Sequence, residues 1–452
     1  MGDTIAAIAT GQQVSAIGIV RMSGEESIRI AERVFVPYAG GTLSEHRDRK
    51  LVYGELRSAE NQLLDICMCT ISRGPGSYTG EDTVEFQCHG SPMLLNMLLH
   101  ELFRLGARQA GPGEFTKRAF LNGRMDLSSA EAVIDLIDAE SAEAVRNAAG
   151  QLSGAIFRKA GGIYTQLLDI SAHFHAVLDY PDEDIEEFQI RNYREILLEG
   201  QRELERLLGT FERGRMMNSG IPTAIIGLPN AGKSSLLNAL LGYDRAIVTE
   251  IPGTTRDTVE ERAQIGGVCL RLIDTAGIRE TEDRVERLGV ERSLAAAETA
   301  SLVLAVIDGS REAEEALPRI LRAAERAEKA VIVCSKLDLP SRLQLPETCL
   351  PVVRVSSTSG EGLDRLEETI RELFPAPLVP AGEILTNVRQ ADAVRRAAES
   401  MKAACEELEQ GLTPDIILTE TENAMQALGE LTGVSIREDI TNQIFSRFCV
   451  GK

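Results

Sequence analysis

Gly227-Leu228-Pro229-Asn230-Ala231-Gly232-Lys233-Ser234 matches the phosphate-loop pattern GxxxxGK[ST] in full, and Ser235 follows it. An apolar run precedes the pattern and the helix-like stretch SSLLNALLG follows, the context that it requires. The glycines let main-chain N–H groups from Asn230 to Ser235 curl around phosphate oxygens. Lys233 reaches the β and γ phosphates, and the Ser234 hydroxyl ligates Mg²⁺. A helix N-terminus adds partial positive charge.

Further groups follow in a consistent order. Asp274-Thr275-Ala276-Gly277 ends an apolar run, with Asp274 placed to hold a Mg²⁺-bound water. Gly253-Thr254-Thr255 lies between, where a switch threonine meets Mg²⁺ and the γ-phosphate. Ser335-Lys336-Leu337-Asp338 ends a later run. A carboxylate there accepts from both guanine N1–H and N2–H₂, a donor pair that adenine lacks. Ser356-Ser357 stands where a main-chain N–H meets guanine O6. The implied ligand is GTP with Mg²⁺. Ser335 and Ser357 occupy positions where Asn and Ala are usual. Without the Asn amide, the tie between base loop and phosphate loop is expected to be lost, at about 1 kcal/mol for one hydrogen bond. Guanine choice is expected to survive on Asp338.

Hydrolysis needs an oriented water. The residue directly after DTAG is Ile278, which cannot orient one. Glu280, Glu282, Asp283 and Glu286 follow, and spacing alone does not choose among them. No arginine finger is evident in the chain. The Asn230 amide oxygen is instead placed to coordinate a monovalent cation, which could supply the missing positive charge.

Positioning these groups takes an α/β domain. Thr223–Ile226, Val268–Ile273, Leu302–Ile307, Val331–Cys334 and Val352–Val355 read as strands, with amphipathic stretches between them. Gly266-Gly267 suggests one antiparallel hairpin. Residues 1–118 mix strands (Ala16–Met22, Leu63–Ile71, Val84–His89) with a helix at Pro92–Leu105. Residues 119–215 read as helical. Ser128 is the expected N-cap of a capping box with Glu131, and Asp179–Glu187 is an acidic breaker. Helix returns at 380–452, with Ile417, Thr421, Ala424, Leu428 and Leu431 in one stripe. The expected organisation is a helical domain, 119–215 with 380–452, into which an α/β domain of residues 216–379 is inserted.

The 452 residues suit about three domains at roughly 150 residues each. Hydrophobic residues at 43% and charged residues at 26% exclude wholesale disorder. No run approaches the ~18 apolar residues of a membrane helix, and no secretory signal is read. The eight cysteines form no CxxC, so neither a zinc ribbon nor a disulfide framework is expected, and a reducing cytoplasm is. His173 and His175 show no metal spacing, and no GxGxxG dinucleotide site is visible. A net charge of −21 argues against non-specific nucleic-acid binding.

Taken together, GLPNAGKSS (227–235), IPGTTRD (251–257), DTAGIR (274–279), GPGEFTKRAFLNGRMDLSSAEA (111–132) and the terminal Phe448-Cys449-Val450-Gly451-Lys452 resemble the MnmE (TrmE) family of tRNA-modification GTPases. The resemblance runs over essentially the whole chain. It implies a multidomain α/β plus all-α protein: an α+β N-terminal folate-binding and dimerising domain (1–118), the helical domain, and an inserted Ras-like P-loop GTPase domain. It implies a homodimer that works with a FAD-containing MnmG-type partner. Together they add aminomethyl or carboxymethylaminomethyl groups at C5 of the wobble uridine of certain tRNAs. By the same resemblance the K⁺ ligands fall on Asn230, Thr249, Ile251 and Thr254, and the Mg²⁺ ligands on Ser234 and Thr255. The water-orienting carboxylate falls on Glu286, which acts with Lys233. Arg21, Glu85, Arg124 and Lys452 fall on the site for 5,10-methylene- or 5-formyl-tetrahydrofolate. A carboxylate would read the pterin N–H edge, and cations would hold the glutamate tail. Cys449 is either a nucleophile beside the one-carbon donor or a small packed residue.

Two other readings use the same motifs. A ribosome-assembly GTPase usually adds a basic RNA-binding module, which the net −21 speaks against. A dimerising scaffold with little hydrolysis would not need Glu286 and intact Mg²⁺ ligands.

Overall fold

A computed structural model describes residues 3–11, 13–179, 187–243, 261–265, 268–273, 295–313, 317–375, 379–434, 438–446 and 448–452. The chain forms two compact units. One holds Met1–Ile134, Gln151–Gly200 and Glu399–Lys452; the other holds Asp135–Gly150 and Gln201–Ala398.

The first unit is built on seven strands: β1 (Ile5–Ile8), β2 (Ser15–Ser23), β3 (Phe35–Pro37), β4 (Val52–Arg57), β5 (Leu63–Ser72), β6 (Thr83–Gly90) and β7 (Arg108–Gln109). Their order is β3-β4-β5-β6-β2-β1-β7. All pairs are antiparallel except β1 with β7. Side chains alternate across a strand. Val20, Met22, Val84, Phe86, Cys67 and Cys69 therefore share one face, where they form a core with helix Pro92–Arg104. Pro92 opens that helix and Ser91 caps it, accepting from Leu94 N at 3.5 Å. Leu95, Leu98, Leu99 and Leu102 are its buried stripe. Truncating a buried leucine such as Leu98 costs about 2–5 kcal/mol. The opposite face carries Arg21 and Glu85, paired across β2 and β6, and leaves Ile17, Val36, Tyr53, Ile66 and Met68 exposed.

Helix Leu127–Ile137 starts one residue before the expected cap. Asp126, not Ser128, caps it: Asp126 Oδ1 accepts from Ser129 N at 3.0 Å and from Ser128 Oγ at 2.7 Å. A carboxylate is the stronger acceptor for a helix N-terminus, so Ser128 and Glu131 lie inside the first turns. Helix Ala155–Asp179 packs along helix Pro414–Thr432, whose buried stripe includes Ile417, Thr421, Ala424, Leu428 and Leu431. The acidic segment expected to break the helices lies outside the described residues from 180 to 186.

The second unit carries six strands: β8 (Ile221–Gly227), β9 (Glu261–Ile265), β10 (Val268–Leu272), β11 (Leu302–Asp308), β12 (Ala330–Ser335) and β13 (Val352–Arg354). The order β13-β12-β11-β8-β10-β9 is parallel except for the antiparallel edge pair β9–β10. Every residue of β11 is buried, because helices cover both faces. Ile320 and Ala324 pack on one face; Leu236, Leu240, Leu366 and Ile370 pack on the other. The sheet is thus doubly wound, and the loops at the carboxyl ends of β8, β11 and β12 meet at one edge, where such sheets bind ligands.

Candidate functional site

The phosphate loop leaves β8 and runs into helix Lys233–Tyr243. Asn230 takes the left-handed conformation, φ 60°, which turns the loop back on itself. Lys233 Nζ donates to the carbonyls of Gly227 and Leu228 at 3.0 and 2.8 Å, closing the loop around its own amine. Ala231 is buried, Gly232, Lys233 and Ser234 are half-buried, and Asn230 and Ser235 are exposed.

The base loop leaves β12. Ser335 is buried, and its Oγ donates to the Ala231 carbonyl at 2.6 Å, with the Ile307 carbonyl at 3.2 Å. This corrects the expectation that the tie between the two loops is lost: a hydroxyl makes it in place of an amide. The approach is close enough that a Cβ on Gly232 would sit 3.2 Å from Ser335 Oγ. A shorter side chain therefore suits the gap. Asp338 is exposed and accepts from Ser356 Oγ at 2.7 Å. Ser356 N in turn donates to the Glu361 carbonyl at 2.8 Å, which closes the loop that carries Ser356-Ser357.

Lys336, also left-handed at φ 60°, bonds Asp308 Oδ2 at 2.6 Å. Burial alone would raise the Asp308 carboxyl; Lys336 and Ser310 outweigh it and hold it below the ordinary range. Sequence reasoning passed over Asp308. Its signal was a lone carboxylate ending an apolar run at the ligand-binding edge of a parallel sheet. Thr249, Ile251, Thr254, Thr255, Asp274, Thr275, Ala276, Gly277 and Glu286 lie outside the described residues.

The first unit holds a second cluster. Arg21 Nε donates to Glu85 Oε1 at 2.7 Å, with the side chains 20% and 28% exposed. The Arg21 guanidinium lies 5.5 Å from the Tyr78 ring centroid and 5.7 Å from that of Phe115. Tyr78 Oη and Thr116 Oγ1 are 3.0 Å apart, which joins loop 73–82 to helix Glu114–Leu121. Asn122 Nδ2 donates to the Thr79 carbonyl at 2.7 Å, which sets exposed Arg124 beside Gly80.

The chain's last residues run alongside. Val450 bridges Pro112, Gly113 N donates to the Cys449 carbonyl at 3.2 Å, and Phe115 N donates to the Lys452 carbonyl at 3.1 Å. Phe448 is buried with Phe445 and Leu127. Gly451 has φ 101°, and a Cβ there would stand 2.4 Å from the Ile8 carbonyl oxygen, so only glycine fits. The structure therefore brings Arg21, Glu85, Arg124, Cys449 and Lys452 to one end of one sheet. It anchors Cys449 by its main chain and leaves its side chain exposed.

A charged network, unforeseen from sequence, braces this end. Arg118 pairs with Asp3 at 2.9 Å, Glu81 at 2.9 Å and Glu114 at 3.0 Å, and Arg108 pairs with Glu114 at 2.6 Å. Burial would raise the Glu114 carboxyl, but Arg108, Gly111 N–H and Arg118 pull it down to about 2.

Residues 127–449 match the model of the MnmE helical domain, and residues 4–124 match that of the GTP-binding protein TrmE N-terminus. The chain belongs to the MnmE family. Curated relatives of this family align end to end with it. The tRNA modification GTPase MnmE of Alkaliphilus oremlandii is 40% identical over 100% of this chain and 99% of that protein. That of Alkaliphilus metalliredigens is 41% identical over 100% of both chains. That of Symbiobacterium thermophilum is 42% identical over 100% of this chain and 99% of that protein. The chain that carries the P-loop α/β unit thus aligns with these relatives over 99% or more of their length.

Proposed function

We propose that this protein is a GTP hydrolase acting in tRNA modification. With a FAD-containing MnmG-type partner it installs aminomethyl or carboxymethylaminomethyl groups at C5 of the wobble uridine of certain tRNAs. The observation that carries the reading is the meeting of phosphate loop and base loop through Ser335 and Ala231, in a chain that matches tRNA modification GTPases over its whole length. The proposed domains are 1–118, 119–215 with 380–452, and 216–379.

In this reading Asn230 to Ser235 hold the phosphates, Lys233 neutralises charge that develops between them, and Asp338 reads guanine. Lys336 and Ser356 shape the base loop. The site residues from Thr249 to Thr255, those from Asp274 to Gly277, and Glu286 complete the assignment as proposals. The oxygen donors Ser234 and Thr255 suit Mg²⁺, a hard cation that would clamp the phosphates when bound. Asn230, with Thr249, Ile251 and Thr254, supplies oxygen ligands for K⁺, which would stand in for an arginine finger.

Tetrahydrofolate would supply the one-carbon unit. The Arg21–Glu85 pair suits it: a half-buried carboxylate and guanidinium beside two aromatic rings, with Arg124 and Lys452 at the edge for a glutamate tail. Cys449 acts there as a nucleophile beside the one-carbon donor or as a small residue that positions the tail; its exposed side chain favours the first over close packing. The exposed apolar face of Ile17, Val36, Tyr53, Ile66 and Met68 supports a homodimer through this unit. With a net charge of −21, much of the positive surface for tRNA would come from the partner.

The test is GTP turnover by the full chain in KCl and in NaCl at matched ionic strength, with ATP as control. Expected is strong K⁺ stimulation, GTP preference and loss of stimulation in Glu286→Gln. Equal slow rates in both salts would favour the nucleotide-dependent scaffold instead.

A further inference from the structure

Cys67 on β5 and Cys88 on β6 place their sulfurs 3.9 Å apart. Both side chains face the core and are 5% and 2% exposed. Asp65 stands two residues before Cys67 and so shares its face. One of its carboxylate oxygens and the two sulfurs all lie within 4.8 Å of one another. The Asp65 side chain is 9% exposed. It is held by Ile66 N at 2.8 Å, His89 N at 2.9 Å and His89 Nδ1 at 2.8 Å.

We propose that Asp65, Cys67 and Cys88 form a binding site for a thiophilic divalent cation, zinc by its chemistry. Zinc–sulfur bonds of about 2.3 Å in a tetrahedron set two thiolates about 3.8 Å apart, and the two sulfurs already have that spacing. Two soft sulfurs with one carboxylate oxygen select zinc over the hard ions Mg²⁺ and Ca²⁺. Three protein ligands leave the fourth position to water.

Binding exchanges two thiol protons for one dication. Two thiolates and one carboxylate then surround a charge of +2, leaving −1 at the site. Without an ion, contact with the Cys67 sulfur and burial push the Cys88 thiol up; a dication bound by the sulfurs acts in the opposite sense. His89 and its main-chain N–H orient the carboxylate from outside the ligand set. The ion would clip β5 to β6 at the end where β6 turns into helix Pro92–Arg104. The ligands come from two strands, so no CxxC spacing announces them.

The test uses the full chain, stripped of metal in reducing buffer and titrated with Co²⁺. Expected is one tetrahedral site per chain, with a thiolate-to-cobalt charge-transfer band that one equivalent of Zn²⁺ removes. Cys67→Val and Cys88→Val should each cut the band to about half or less and weaken zinc about tenfold or more, and Asp65→Asn should weaken it about tenfold. Cys349→Ser and Cys449→Ser, which alter the two exposed thiols, should leave the band intact. Zinc-edge X-ray absorption of the loaded wild-type chain should show two sulfurs and two lighter ligands, a result that depends on no variant folding. Absence of sulfur from that spectrum, or cobalt and zinc binding unchanged in the valine variants, overturns the proposal.

Discussion

Ser335 Oγ lies 2.6 Å from the main-chain oxygen of Ala231, so the end of β12 holds the phosphate loop directly. Removing that hydroxyl leaves a buried carbonyl without its donor, at about 1 kcal/mol. Ser335→Ala should therefore weaken GDP and GTP binding about fivefold. Ser335→Asn, which restores the usual residue, should bring no gain, because Gly232 leaves little room beside Ser335. Titration calorimetry on the three chains checks both; tighter binding by the Asn variant would refute the fit argued here.

Asp338 is exposed and held by Ser356. Asp338→Asn replaces an acceptor by a group that also donates. The variant should lose GTP preference and gain use of xanthosine triphosphate, whose O2 accepts where guanine N2 donates. Competition assays with the two nucleotides read the switch, and Ser356→Ala should show a smaller loss of GTP affinity with the preference kept.

Gly451 bears on the end of the first sheet. Gly451→Ala drives a Cβ toward the Ile8 carbonyl and forces an alanine into φ 101°. It should lower stability by about 1–3 kcal/mol and displace the tail. Tetrahydrofolate binding should fall with it while GTP turnover by the same chain is kept, as should also follow from Arg21→Ala. Thermal melts and ligand titrations separate the two effects. Folate binding that is unchanged in Arg21→Ala would remove that residue from the site.

Glu114 links stability to acid. Its folded pKa of about 2 lies below the usual value of 4.5, so its contribution is complete above about pH 4.5 and fades as pH falls toward 2. Glu114→Gln should cost about 1–2 kcal/mol at pH 7 and flatten the loss of stability between pH 4.5 and 2. Denaturant melts at a series of pH values read this; parallel curves for wild type and variant would contradict it.

Cys269 makes a different electrostatic point. Burial, then the Glu140 carboxylate 3.1 Å away, push its thiol up to about 12. Arg262 pairs with the same carboxylate at 2.7 Å. Thiol titration of the native chain at pH 8 should find Cys349 and Cys449 fast and the six buried cysteines slow. Glu140→Gln should make Cys269 measurably faster at pH 9, read by mass spectrometry of the labelled peptide.

Strand positions in both sheets were legible because period-two burial and continuous apolar runs are local signals. Val84–His89 and Leu302–Ile307 needed no partner to be recognised, whereas β1, β3, β4 and β7 were not read from the sequence. Asp126 as a cap was missed because Ser128 and Glu131 fit a pattern equally well on paper, and only the carboxylate's reach decided it.

The sequence by itself determined the phosphate chemistry. Glycines, Lys233 and Ser234 work at fixed spacing within one loop, so eight consecutive residues carry the whole device. The proposal of Asp338 as guanine reader came from the same kind of local pattern. Tertiary structure alone decided which distant groups share a site. Arg21 and Glu85 meet across β2 and β6, Cys449 and Lys452 meet Gly113 and Phe115, and Ser335 meets Ala231. Such contacts depend on strand register and on where the last residues settle. Both follow from burial summed over the whole core, which no local spacing encodes.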